Sequence, residues 1–574
     1  MLKNILYKIS FFIISFSIAL ILIFILFNPI FNAENLIFPY AIHPFDIVSV
    51  YPDIWILLKN LYLISFSISY LILYSKFFSN IKFPKNKINK KLIQDISSKE
   101  LSLLVGVSEE NLPVFINEKG LYQNILITGI IGSGKTSSAM YPFTKQLIKY
   151  NSNNFNEKLA LLVLDVKGNY FNQLIEYANE FGRLDDIISI DLTSRFKYNP
   201  LDKPTLKPIV LANRLKTVLT LFSPNNSESY WLDKAEQVLS ESIKFCRLYN
   251  DGYVSFSEIH KLLMFPEYYS EKLNITKNIF RSGKYSDTDV YNLLTCIDFF
   301  EKEFFSLDTR TLSILKSEIS RITNIFVSDY NVSKTFCPPK SEINFNGFKE
   351  VLDKGKIVVL NMNISEYKNL SKIIATYLKL DFQSEVMSRL NTPSKIRKSA
   401  FISDEFHEYV TTTDSDFFAQ CREAKCINIV ATQSYSSIKN ALKDESSTKV
   451  ILQNLINKFW FRTDDTFTIE EAQKQLGKED KEKFSTTISE NAKETKFNLI
   501  TNTLHSRDSN ISESYNKYTQ NDYIYDTNFF SQSLENFKSL AFISNGMKIL
   551  KPQKLQMIPY YDKENFMKGQ KNEK

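Results

Sequence analysis

Residues 124–136 read Asn-Ile-Leu-Ile-Thr-Gly-Ile-Ile-Gly-Ser-Gly-Lys-Thr. The first five are an apolar run that predicts a short buried strand. Residues 129–136 fit the pattern G-x-x-x-x-G-K-[ST], and residues 137–150 continue as a helix. A strand, a glycine loop and a helix in that order turn backbone N–H groups inward and set a helix N-terminus behind them, which makes a phosphate cradle. Glycine is scarce, 14 of 574 residues. A chance match somewhere in the chain is expected on the order of 0.005 times. The bland alternative is a glycine turn capped by Thr136. Read as a cradle for ATP, the loop is lined by Gly129, Gly132, Ser133, Gly134 and Ser137. Lys135 reaches the β and γ phosphates, and Thr136 ligates Mg²⁺.

Such a loop needs an acidic partner. Two apolar runs end in carboxylates: 159–164 before Asp165, and 399–403 before Asp404-Glu405. Only the second supplies two adjacent acids. Asp404 is placed to hold Mg²⁺ through water and Glu405 to polarise the attacking water. Each acid also reads as an ordinary strand-end turn residue, Asp165 as readily as not. A further apolar run, 427–430, leads to Ala431-Thr432-Gln433-Ser434, with Gln433 placed to sense the γ-phosphate. Between these runs stands Arg422. Its spacing favours a surface salt bridge, and a rim position from which it reaches a neighbouring subunit's phosphate is the sharper alternative.

The N-terminal end has a different character. Residues 9–27 carry no charge and are long enough to cross roughly 30 Å of hydrocarbon, and 54–74 are a second such stretch. Lys3 and Lys8 precede the first, Lys76 to Lys99 follow the second, and residues 28–53 contain no Lys or Arg. The positive-inside rule puts both ends in the cytoplasm, making a hairpin anchor in the cell membrane beneath a large cytosolic body. The lysine-rich stretch 75–100 reads as a solvated linker near anionic lipid.

Composition bounds the rest. The 44% apolar and 23% charged content excludes a wholly disordered or collagen-like chain. A net charge of +7 permits nucleic acid as a partner without demanding it. Five cysteines with no C-x-x-C argue against a zinc site or a disulfide framework. Residues 200–341 carry long helical patterns at 208–221, 231–248 and 309–326 with almost no strand signal. Residues 356–362 return to a strand, and a closing strand stands near 540–543. Alternating strands and helices predict a mostly parallel sheet.

In this order the motifs resemble the type IV coupling proteins, the TraG/TraD-like ATPases of conjugation and type IV secretion. The resemblance rests on the paired spans, the loop 129–136, L-V-L-D-V-K-G around Asp165, Tyr198-Asn-Pro-Leu201 and Tyr230-Trp231. It continues with S-D-E-F at 403–406, A-T-Q-S at 431–434 and Leu476-Gly477. It implies an α/β fold: a RecA-like P-loop motor with an inserted all-α domain, preceded by two transmembrane helices. The expected boundaries are 1–80 for the anchor, 81–200 and 346–560 for the two parts of the motor, 201–345 for the insertion, and 561–574 for a polar tail. It further implies a hexamer at the bacterial inner membrane that couples ATP hydrolysis to delivery of a DNA–relaxase complex or effector proteins into the secretion channel. Lys135, Thr136, Asp404, Glu405 and Gln433 take the family's catalytic positions, and Arg422 falls where the family places a trans-acting arginine. An FtsK-like or HerA-like DNA translocase, or a membrane scaffold that binds ATP without hydrolysing it, stays open. Segment 478–525 is polar and weakly periodic, matches the family weakly, and receives no role.

Overall fold

The computed structural model describes residues 16–18, 64–70, 100–165, 167–222, 229–283, 285–391, 396–490, 495–498, 503–506 and 511–562. The chain divides into two units, 1–88 and 89–574. In the first, 16–18 and 64–70 are helical, and the Phe16 ring lies 5.1 Å from Tyr70 and 6.1 Å from Phe66. The proposed spans 9–27 and 54–74 otherwise lie outside the described residues. Among those residues no helix is long and apolar enough to cross a membrane. The tail from 563 on also lies outside them.

The second unit is built on one sheet. Its strands are β1 (Ser102–Ser108), β2 (Pro113–Asn117), β3 (Ile125–Thr128), β4 (Ala160–Leu164), β5 (Ile187–Ile190), β6 (Ile357–Leu360), β7 (Ser399–Ser403), β8 (Cys426–Thr432) and β9 (Asn457–Trp460). After β10 (Lys478–Glu490), β11 (Thr495–Asn498), β12 (Thr503–Ser506) and β13 (Ile511–Tyr523), which stand apart, β14 (Lys538–Phe542) and β15 (Gln553–Gln556) complete it. The order is β2-β1-β15-β14-β9-β3-β8-β7-β4-β6-β5. From β9 to β5 every neighbour pair is parallel. These strands are short and apolar, such as Ala-Leu-Leu-Val-Leu in β4 and Ile-Val-Val-Leu in β6, because helices cover both their faces. Alternate side chains of one strand feed opposite cores: Leu162 and Leu164 enter one, Leu161 and Val163 the other.

The sheet is mostly parallel, as expected, with β14, β15, β1 and β2 joined antiparallel along one side. Only one residue of β15, Leu555, is fully buried, so its Gln-Lys-Leu-Gln offers almost no apolar signal. The helix expected over 137–150 opens instead with a wide π turn, Thr136–Met140, before the α-helix Tyr141–Lys149.

Between β5 and β6 the described chain is helical, running from Pro208–Phe222 and Ser229–Tyr249 through to Tyr330–Phe336. It re-enters the sheet at β6, which slots between β4 and β5. The helices join the same core as β4, β6 and the 25-residue helix Ile364–Ser388. Among the described residues of segment 478–525, 478–490, 495–498, 503–506 and 511–523 are strand. β10 and β13 pair over 13 residues in an antiparallel ribbon that carries exposed Phe484, Ile488 and Tyr515. Sequence alternation was weak there because Lys, Glu, Ser and Thr occupy both faces, so no buried face marks the period.

Candidate nucleotide site

The parallel registers bring four strand ends to one edge. Thr128 of β3 pairs with Thr432 of β8, Ser403 of β7 with Val430 of β8, and Leu164 of β4 with Ser403. The residues that follow, Gly129, Gln433, Asp404 and Asp165, therefore emerge together above the sheet.

The loop after β3 needs its glycines. Gly132 and Gly134 have φ of +79° and +100°, and a Cβ on Gly134 would lie 2.5 Å from the ring of Phe537. Lys135 is buried and reaches back across its own loop, donating to the carbonyls of Gly129 (2.5 Å) and Ile130 (3.2 Å). Burial lowers the pKa of its ammonium, against the opposing pull of Glu405 and Asp404. The hydroxyls of Ser133 and Ser138 bond within the loop, to the carbonyls of Ile130 (2.8 Å) and Gly134 (2.7 Å), and that of Ser137 reaches Gly134 O at 3.3 Å.

Thr136 Oγ1 donates to Asp404 Oδ2 at 3.0 Å, joining the loop to β7. Burial, then the neighbouring carboxylates of Glu405 and Asp165, pushes Asp404 up to about 6. A cation beside it would remove that like-charge penalty. The hydroxyl–carboxylate pair suits Mg²⁺, which keeps several waters and needs only one or two protein ligands.

Glu405 is 5% exposed and sits at φ +50°, a left-handed conformation uncommon for a side chain of its size. Its Oε1 is 3.1 Å from Lys167 Nζ and 3.5 Å from Gln433 Nε2, while Oε2 is buried with no hydrogen-bond partner. That is a carboxylate with one oxygen tethered and one unpaired, the disposition a water-polarising base requires.

Asp165 does something else. Its two oxygens accept from the backbone N–H groups of Lys167 and Tyr170, both at 3.0 Å, and so hold the turn into the helix Tyr170–Glu180. Of the open alternatives, the turn role is the one this geometry carries. Arg422 is exposed, in the turn before β8, at the end of that strand away from Gln433. Seven residues of strand put about 20 Å between it and its own chain's site. Among the described residues it forms no ion pair.

Three residues escaped the sequence reading. Lys167 faces Glu405. Although partial burial opposes it, Asp404 and Glu405 raise the pKa of its ammonium. A cation two positions after a strand-ending acid was the available signal. His407, two residues past Glu405, has Nδ1 3.2 Å from Thr432 Oγ1 and 3.8 Å from Glu405 Oε2; burial lowers its pKa. Arg462 follows β9, its carbonyl accepting from Ile130 N at 2.9 Å, with Nε buried and unpartnered. Nothing in the sequence showed that β9 flanks β3.

Comparison with known proteins adds a likeness in sequence and in fold. Residues 398–524 match the model described as the TraM recognition site of TraD and TraG. Over that stretch the chain resembles the TraD and TraG coupling proteins. The matched segment contains Asp404, Glu405, Arg422 and Gln433 and runs through the ribbon, which corrects the weak family match expected of 478–525. Solved structures share the fold. Plasmid coupling protein TrwB in complex with ADP and Mg²⁺ aligns at TM-score 0.52 and 11% identity, covering 82% of this chain and 92% of that one. TrwB with the non-hydrolysable GTP analogue GDPNP aligns at 0.51, with the same identity and coverage. No curated protein sequence matches the chain.

Proposed function

We propose that this coupling-protein chain is a P-loop ATPase that couples ATP hydrolysis to recruitment and translocation of DNA, DNA–protein or protein effector cargo into a type IV secretion or conjugation channel. It works as a RecA-like motor with an inserted helical domain, anchored in the inner membrane by 9–27 and 54–74. The observation that carries this is the convergence of Lys135, Thr136, Asp404, Glu405 and Gln433 on one edge of the parallel sheet. The solved coupling-protein structures, holding ADP with Mg²⁺ or a triphosphate analogue, support a nucleotide there.

Lys135, freed from the Gly129 and Ile130 carbonyls, neutralises the β and γ phosphates. Thr136 and Asp404 hold Mg²⁺, which supplies Lewis acidity when bound. Glu405 accepts the proton of the attacking water through its unpaired Oε2. Lys167 and Gln433 keep the other oxygen in place. Gln433 also joins that oxygen to the tip of β8, and this contact gives the sheet a means of reporting the γ-phosphate to the rest of the chain. Arg422 acts on a neighbouring subunit in a hexamer.

Steady ATP turnover by the full-length protein in detergent, stimulated by DNA and abolished in Lys135→Ala, is the expected result. Nucleotide-dependent assembly without turnover would make the chain a scaffold instead.

A further inference from the structure

The strand order gives the site a direction. Asp404, Glu405 and Gln433 end β7 and β8, on one side of β3; β9 and β14 lie on the other. The reacting end of a triphosphate faces the carboxylates, so the nucleoside leaves the loop toward β9 and β14. Three aromatic residues wait on that side, brought there by the two ends of the β14–β15 hairpin.

Phe537 stands just before β14. Its N–H donates to Ser133 O at 3.1 Å, and its ring covers Gly134. Its carbonyl accepts from Met557 N (2.8 Å) and Gln556 Nε2 (3.2 Å). These bonds hold it at φ +63°, an outlier for a bulky side chain. Beyond β15 the chain returns, and Tyr560 N donates to Ser137 O at 2.9 Å. The rings then step outward. Tyr560 stands edge-on to Tyr141 at 5.2 Å and to Tyr561 at 5.3 Å, and Tyr561 lies 6.4 Å from Phe537. Tyr560 is 37% exposed and Tyr561 56%. A hairpin that merely closed the sheet would not need its outermost ring open to solvent beside the phosphate loop.

We propose that Tyr561, braced by Tyr560 and Phe537, is the platform on which the nucleobase of the bound nucleoside triphosphate stacks. This rests on the nucleotide reading of the loop and adds to it a base-binding subsite built by residues 537–561. Every base offers a π face, so such a platform sets affinity for a nucleoside over bare phosphate more than it selects one base.

The test compares ATP with inorganic tripolyphosphate, both with Mg²⁺, by calorimetry on the full-length protein in detergent. Tyr561→Ala is expected to weaken ATP binding about 5- to 150-fold, the range for losing one aromatic–base stack. Tripolyphosphate affinity should stay unchanged, and Tyr561→Phe should bind ATP like the parent. Unchanged ATP affinity in Tyr561→Ala, or equal loss of ATP and tripolyphosphate, overturns the platform while leaving the loop's role intact. If the parent binds neither ligand, the nucleotide reading itself falls, and the platform with it.

Discussion

The strained and buried charges are where single residues decide the behaviour of this chain. Lys458 is the clearest case outside the site. It lies in β9, inside the sheet, and burial alone pushes its ammonium down to about 8. The unfolded chain holds that proton up to about pH 10.5 while the folded one has released it by about 8, so stability rises with pH across that window. Below pH 8 the deficit is constant, about 3 kcal/mol. Lys458→Met should therefore raise the thermal midpoint at pH 7 and flatten the gain between pH 8 and 10.5. A parent melting point that falls steadily over that interval would refute the assignment. Asp165 gives a contrasting expectation. Because its oxygens hold two backbone N–H groups, Asp165→Asn should lower the melting temperature more than it lowers turnover per folded molecule. A turnover loss larger than that of Glu405→Gln would make Asp165, not Glu405, the catalytic base.

At the scale of elements, the long helix Ile364–Ser388 fixes the loop that carries Glu405. Lys379 and Asp414 form a completely buried ion pair at 2.5 Å. Lys379 also donates to Tyr409 O and Thr411 Oγ1, and Gln383 donates to Asp414. Removing one partner strands the other charge. Lys379→Met should cost about 3–5 kcal/mol of stability, and Lys379→Met with Asp414→Leu should recover part of it, read by thermal unfolding. Equal melting points for parent and single variant would show the pair to be dispensable. The same scale shows what was legible beforehand. β3, β4, β6, β7 and β8 are buried on both faces, so their apolar runs announced them within a residue or two. Asp404, Glu405 and Gln433 stood out because they directly follow such runs, and Lys135 and Thr136 because of the glycine spacing of the loop after β3. Lys167, His407, Arg462 and Phe537 were not, since their places depend on which strands lie side by side. The ribbon β10–β13 was illegible for the opposite reason, having no buried face to imprint a period.

For the whole molecule, the separation of Arg422 from its own chain's site makes a shared site the natural reading. The end of β8 that bears Arg422 points away from the loop, yet the side chain is exposed. In the proposed ring, one subunit's Arg422 would serve the phosphate held by the next subunit's Lys135. A trans arginine contributes roughly 10³–10⁵ in rate. Specific activity should rise with protein concentration, and Arg422→Ala should bind nucleotide without turning it over. Mixing it with Lys135→Ala should restore some activity, through interfaces that pair an intact Lys135 with an intact Arg422. Concentration-independent activity, or no complementation despite proven co-assembly, would return Arg422 to the surface.

All of this depends on Glu405 acting as the base of an ATP-hydrolysing site. The direct measurement is Mg-ATP affinity and single-turnover hydrolysis in parent and Glu405→Gln. The amide keeps the shape of the side chain but cannot take a proton. ATP affinity within about twofold of the parent and hydrolysis slowed roughly 10²–10⁴-fold are predicted. Hydrolysis at the parental rate in Glu405→Gln would contradict the account.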